Sequence, residues 1–172
     1  MHGHTLQRMV IAVISDTHIP RGPRRIPTAC VDRMRTADLV IHAGDISTPE
    51  VLAGIEAIGP PVHAVFGNVD TAELREHLPE SRFVEAGEAR IAVVHDAGAS
   101  KGRLSRMRRR FPDAAAVVFG HSHIPMHERS DDGGFQIFNP GSPTERRRQP
   151  RHTMGMAYVR AGSLDFELLA LD

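Results

Sequence analysis

The sequence predicts an α/β fold of mixed sheets flanked by helices. Three observations carry this. Short apolar runs alternate with helix-like segments through the first half of the chain. Several of those runs end in a polar or charged residue. Turn signals joining paired runs dominate the second half.

The first run, Met9-Val10-Ile11-Ala12-Val13-Ile14, is apolar throughout and reads as a strand buried on both faces. Residues 27–35 read as a helix, with Pro27 tolerated in its first turn. Leu39-Val40-Ile41-His42 is a second strand, closed by Ala43-Gly44-Asp45. A helix over 49–58 follows Thr48, a residue suited to an N-cap. Residues 62–66 form a third strand ending in Gly67-Asn68, and 71–77 a short helix. Strands over 82–85 and 90–94, separated by a turn at Gly87, lead to His95. Residues 101–111 read as a helix with Leu104, Met107 and Phe111 on one face and its arginines on a solvated face. A strand over 115–119 ends in Gly120-His121. Asp131-Asp132-Gly133-Gly134 and Ala161-Gly162-Ser163 mark turns, the second joining 154–160 to 164–171. With no repeat, low-complexity segment or boundary in view, a single domain over 1–172 is expected, its core over 9–171.

At 172 residues, with 41% hydrophobic and 24% charged, the composition is that of an ordinary globular protein. Lys+Arg and Asp+Glu both total 21, so the formal net charge is zero. General nucleic-acid binding, driven by phosphate neutralisation, needs a basic excess that is absent. The lone cysteine, Cys30, excludes an internal disulfide and a thiolate zinc cluster, and reads as a small buried hydrophobe. The longest apolar run is far shorter than a membrane span, and residues 1–7 lack the apolar region of a signal peptide. A cytoplasmic protein without membrane association is expected; assembly into a homo-oligomer is left open.

Five strand-like runs end in potential metal ligands: Asp16 and His18, Asp45, Asn68, His95, and His121 with His123. In open α/β sheets, ligands gather outside the carboxyl ends of strands. Singly, each of these residues is equally a turn residue, an N-cap or a hydrogen-bonded core histidine. Jointly they fit one chemistry, because two hard divalent cations take carboxylate, amide and imidazole donors with one anionic oxygen between them. Asp16, His18 and His123 suit one cation, Asn68, His95 and His121 the other, and Asp45 a bridge. Two cations, two carboxylates and a bridging hydroxide leave a small positive charge, which favours an anionic phosphate. His2, His4 and His152 sit in polar stretches and read as incidental.

Asp16-Thr17-His18, Gly44-Asp45, Gly67-Asn68-Val69-Asp70, His95 and Gly120-His121-Ser122-His123 resemble, in order and spacing, the calcineurin-like metallophosphoesterases. Asn139-Pro140-Gly141-Ser142 is similar to a segment of that superfamily's small bacterial and archaeal phosphodiesterase branch. The resemblance implies a four-layer αββα sandwich: two mixed sheets face to face, with helices outside. It implies the ligand assignment above, with Asp45 bridging and Asn68 also contacting a phosphate oxygen. Manganese is the first metal it implies; iron, nickel, cobalt and zinc suit the same nitrogen and oxygen donors. The implied activity is hydrolysis of a small phosphate ester, a diester in the first instance, by a hydroxide between the two metals. A phosphomonoesterase or nucleotidase on the same centre, and a non-catalytic scaffold, are the alternatives. Asp70 is expected to orient a ligand histidine. Two positions depart from the pattern: Val69 stands where the superfamily often has a histidine able to protonate the leaving group, and Asp96 where the small branch tends to have glycine. Esters with good leaving groups are then expected to be favoured, unless a metal-bound water or another side chain such as His42 or Asp70 supplies the proton. Arg146 to Arg148 and Arg151, after the Gly141 turn, are either exposed loop or phosphate contacts.

Overall fold

The structure, a computed structural model, describes residues 8–19 and 24–172. His2 and His4 lie outside these residues. The first sheet runs β10(Ser163–Ala170), β9(Thr153–Arg160), β1(Met9–Ile14), β2(Leu39–His42), β3(Val62–Ala64) across its width. The second runs β4(Ser81–Ala86), β5(Ala89–Val94), β6(Ala116–Val118), β8(Gln136–Asn139), β7(Met126–Arg129). Both are mixed. In the first, β1, β2 and β3 are parallel while β9 and β10 form an antiparallel hairpin on the β1 edge. In the second, β5, β6 and β8 are parallel, flanked by the hairpin partners β4 and β7.

The inner faces meet in one apolar cluster that includes Ile11, Val13, Ile41, Val84, Ile91, Val93, Val118, Phe138 and Ala157. Outside the first sheet, α1(Thr28–Arg35) and α2(Pro49–Glu56) cover Ala12, Ile14, Val40 and Met156 with Cys30, Met34 and Ile55. Outside the second, Met107 of α4(Arg103–Arg110) and the adjoining Phe111 cover Ala92, Val117 and Ile137. This is the four-layer αββα arrangement. Cys30 is fully buried, and burial pushes its thiol pKa up to about 12, so it packs as an apolar group.

Element edges differ from the sequence reading where local chemistry intervenes. The third strand stops at Ala64, because Phe66 N–H turns to Pro79 O. Thr71 is the N-cap of α3(Ala72–His77) rather than its first residue, and Thr48 caps α2 as expected. The fourth helix begins after Gly102, whose φ of 69° is left-handed. Its arginines are not simply solvated: Arg103 donates to Gly98 O, and Arg106 to Ala97 O and Ala99 O, tying down the loop that follows His95. Among the described residues, no helix is long and apolar enough to cross a membrane.

The topology places the carboxyl ends of six parallel strands, three from each sheet, along one edge of the sandwich.

Candidate metal centre

The residues after β1, β2, β3, β5 and β6 converge at that edge. Asp16, His18 and His123 each present one donor within a 4.8 Å group, and so do Asp16, Asp45 and His95; all five residues are buried. His18 Nε2 lies 3.1 Å from His123 Nε2 and 3.3 Å from Asp45 Oδ2. His95 Nε2 lies 3.3 Å from the same Asp45 oxygen. Asn68 Oδ1 completes the set, 3.0 Å from His95 Nε2 and 3.0 Å from His121 Nδ1. All seven residues expected from the sequence are therefore brought together. The two sides differ in access: Asp16, His18 and His123 are buried, whereas Asn68 is exposed and His121 half-buried.

The backbone is shaped for this convergence. Asp16, His18, Asp45, His121 and His123 all have left-handed φ values, between 47° and 71°, and Ser47 has 100°. Such conformations cost on the order of 1 kcal/mol per residue, less for Asp and His than for β-branched residues. They turn alternate side chains of Asp16-Thr17-His18 and of His121-Ser122-His123 to the same side. Glycine is needed at two close approaches: a Cβ on Gly67 would strike the Asp45 carboxylate, and one on Gly120 would strike Ser15 Oγ and Asp16 Oδ2.

Each buried charge has donors. Asp16 accepts from Ser15 Oγ at 2.8 Å and from His121 N–H at 3.0 Å. Asp45 accepts from Val69 N–H at 3.0 Å. Burial works against ionisation of Asp45, yet His18 and His95 beside it hold its pKa well below the carboxylate range. Burial likewise opposes charge on His18, but the Asp16 and Asp45 carboxylates prevail and raise its pKa to about 9. The balance goes the same way at His95, and the other way at His123, where burial lowers the pKa against the pull of Asp16.

A metal fits this donor set on three grounds. Donor atoms around one cation with bonds of ~2.1 Å stand ~3.0–3.4 Å apart, close to the separations above. His95 donates from Nδ1 to Ala43 O at 2.7 Å and His123 from Nδ1 to Glu145 O at 2.6 Å, so in the neutral rings both Nε2 lone pairs face the cluster. The donors themselves are carboxylate, amide and imidazole, the set that suits divalent first-row metals.

Two sequence expectations are corrected here. Asp70 does not reach a ligand histidine. Its carboxylate accepts the N–H groups of Ser47 and Gly67, each at 2.7 Å, and of Asp45 at 3.2 Å, so it fixes the loops that carry Asp45 and Asn68. His42 is fully buried: Gly44 N–H donates to its Nδ1, which leaves Nε2–H to donate to Thr17 Oγ1 at 3.1 Å. Neither side chain is placed to protonate a leaving group.

The sequence marked Asn139-Pro140-Gly141-Ser142 after β8 by resemblance alone and gave that segment no role in the site. Asn139 donates to Gly120 O at 3.1 Å, Ser142 Oγ to Asp16 O at 2.8 Å, and Thr144 Oγ1 to Thr17 O. The segment thus joins the loops of Asp16 and His121. The polar side chains of Ser142, Thr144 and Glu145 after a glycine were the signal available. Of the neighbouring arginines, Arg146 bonds Gln149 O and Arg151 bonds Asp172 O, while Arg147 approaches His121 O at 3.5 Å. Asp96 caps its own turn at Gly98 N–H, with its other oxygen 4.0 Å from His121 Nε2.

The pattern that defines the calcineurin-like phosphoesterase superfamily domain matches residues 9–162. The chain belongs to this superfamily. A probable metallophosphoesterase of Methanothermobacter thermautotrophicus is 36% identical over 163 residues, covering 94% of this chain and 92% of the relative. Among solved structures, vacuolar protein sorting 29 of Cryptosporidium parvum superposes with a TM-score of 0.77 at 20% identity, covering 94% of this chain and 97% of that one. A structure described as a novel archaeal phosphodiesterase superposes with a TM-score of 0.70 at 20% identity, covering 94% of this chain and all of that one. At these identities the two structures speak for the fold alone. Superfamily membership and the donor set together make this a metal-dependent phosphoesterase domain with its candidate ligands in place.

The environment of His42 predicts an acid sensitivity. Burial lowers its pKa from 6.5 to about 4, aided by repulsion from His95 and opposed by Asp16. The unfolded chain therefore takes up this proton first. Stability contributed by a neutral His42 is complete above pH 6.5 and is lost as pH falls toward 4. In metal-free protein, urea unfolding at pH 7 and pH 5 should show wild type losing about 2 kcal/mol more than His42→Asn over that interval. Equal losses in both proteins would contradict the assignment.

Proposed function

We propose that this chain is a dinuclear, metal-dependent phosphodiesterase. The observation that carries the reading is the position of Asp45 Oδ2, 3.3 Å from His18 Nε2 and 3.3 Å from His95 Nε2, between two sets of donors. Asp16, His18 and His123 would hold one cation, and Asn68, His95 and His121 the other, with Asp45 shared. When bound, such a pair of cations acidifies water to a nucleophile near neutral pH and withdraws charge from the phosphate. Manganese is the first candidate; iron, nickel, cobalt and zinc suit the same donors. The substrate is a small phosphate ester met in the cytoplasm.

The remaining tasks fall to the chain itself. Asn68 has its Oδ1 turned to the histidines, which leaves its exposed amide N–H₂ free to donate to a phosphate oxygen. A cleft of about 170 Å³ opens beside Asn68 and His95, lined also by Phe66, Arg75, Glu80 and Asp96, and gives room for an ester substituent. Arg75 keeps the Asn68 loop rigid by donating to Asn68 O at 2.6 Å and Asp70 O at 3.1 Å.

The choice of diester over monoester rests on Val69. Its backbone N–H holds Asp45, but its side chain carries no proton to give. With His42 and Asp70 both committed elsewhere, nothing in that motif protonates the leaving group. A diester also carries one negative charge against a monoester's two, and so needs less cationic help around the phosphate. Phosphomonoesterase activity on the same centre is the outcome that would displace this reading.

Two tests follow from the geometry. Metal titration of chelator-treated protein should saturate at two ions per chain, and Asp45→Ala should lose more diesterase turnover than His18→Ala, because only Asp45 is shared. His152→Ala, whose ring pairs with Asp172 at 2.7 Å, should leave turnover unchanged. Saturation at one ion, or near wild-type turnover in Asp45→Ala, would sink the assignment.

General-acid assistance is worth ~10²–10⁴-fold on poor leaving groups. Val69→His should therefore raise turnover of monoesters and alkyl diesters by up to ~10²-fold relative to nitrophenyl diesters. A folded, metal-loaded variant with an unchanged ratio would show that position 69 does not set the preference.

A further inference from the structure

We propose that Glu145 is the positioning residue for the buried half of the centre, its carboxylate orienting the His18 ring and its main chain orienting His123. The inference rests on the dinuclear reading above. An imidazole that turns Nε2 toward a cation carries its proton on Nδ1 and needs an acceptor behind it. His123 has one, because its Nδ1 donates to Glu145 O at 2.6 Å. His18 is left without: its side chain is 4% exposed, and its Nδ1 has no hydrogen-bond partner among the described residues. The carboxylate facing that nitrogen is again Glu145, with Oε2 at 3.7 Å. That separation is an electrostatic contact rather than a hydrogen bond, and an approach of under ~1 Å converts it.

Glu145 is itself held. Its Oε1 lies 2.9 Å from Arg24 Nη2, and Arg24 Nη1 reaches His18 O at 3.5 Å. Its backbone N–H donates to Ser142 Oγ at 2.8 Å, and that hydroxyl donates to Asp16 O at 2.8 Å. One residue thus serves both imidazoles of the Asp16 side. The other side has a different support, since His95 leans on Ala43 O. The effect of Glu145 should therefore fall on one metal of the two.

A merely structural Glu145, acting as the partner of Arg24, would lower thermal stability without separating the metals. The experiment uses the full chain loaded with Zn²⁺ and compares wild type, Glu145→Gln and Glu145→Ala by chelator competition and by nitrogen–proton NMR of the histidine rings. Glu145→Ala is expected to weaken one Zn²⁺ by ~10–100-fold, the range for losing the carboxylate behind a ligand histidine, and to leave the other unchanged. The His18 Nδ1–H signal should persist in wild type and exchange rapidly in Glu145→Ala. Glu145→Gln keeps shape and an acceptor oxygen without the charge, so it should fold if the alanine variant does not, and should fall between the two. Equal weakening of both ions, or no weakening with an unaltered His18 signal, overturns the role given to Glu145. Wild-type protein that binds fewer than two Zn²⁺ overturns the dinuclear reading instead, and the proposal with it.

Discussion

Two buried carboxylates, Asp16 and Asp45, set the conditions for everything around them. Charges excluded from water are tolerated only with partners at hand. Asp16 is surrounded by Ser15 Oγ, His121 N–H and the Nε2 atoms of His18, His95 and His123. Asp45 has Val69 N–H on one oxygen and His18 and His95 on the other. These partners come from the ends of β1, β3, β5 and β6, so the charges can be satisfied only when both sheets are assembled. The site is thus a polar clasp across an apolar sandwich, and its formation is tied to the packing of the inner faces.

The left-handed residues follow from the same requirement. A strand alternates its side chains between faces, and a loop continuing in extended form would send Asp16 and His18 along the strand direction. Left-handed φ at both residues curls the loop, and Thr17, in between, turns inward to His42 and the Asp45 carbonyl. The His121-Ser122-His123 loop repeats the device from the second sheet. Strain of this kind persists where surrounding bonds over-determine the conformation. Here the Asn139–Glu145 segment bonds both loops at their carbonyls and thereby does so.

The layers and the convergence of the seven candidate donors were legible in the sequence because strand ends and ligand-type residues coincide at each block. A buried parallel strand announces itself as a continuous apolar run, and a polar residue just beyond marks its carboxyl end. Supporting residues were not legible. Asp70 reads as a candidate histidine partner in the sequence, yet its three backbone donors lie on loops that only the fold brings near. His42 is the last residue of a strand like the ligands' neighbours, and only its burial and its bonds to Gly44 and Thr17 remove it from the proton-donor role. Glu145 lies outside the ligand blocks, and its link to His18 spans more than a hundred residues of chain. Contacts of that kind depend on loop trajectories, for which a sequence has no periodic signature.

The asymmetry of the centre bears on how the fold is used. A sandwich of this kind does not by itself specify catalysis, because function lives in the site the fold carries. What could be lost without disturbing the sheets is the open side. Asn68 is exposed, His121 is half-buried, and neither contributes to the apolar clusters. The buried side is different, because Asp16 and His18 sit beneath the segment that joins the two sheets' loops. Substitution on the open side would remove the proposed second cation and the phosphate contact of Asn68 at little structural cost. In this chain both open-side donors are present and aimed at one another through Asn68 Oδ1, at 3.0 Å from each histidine. The presence of both halves favours the proposed hydrolytic reading over a scaffold.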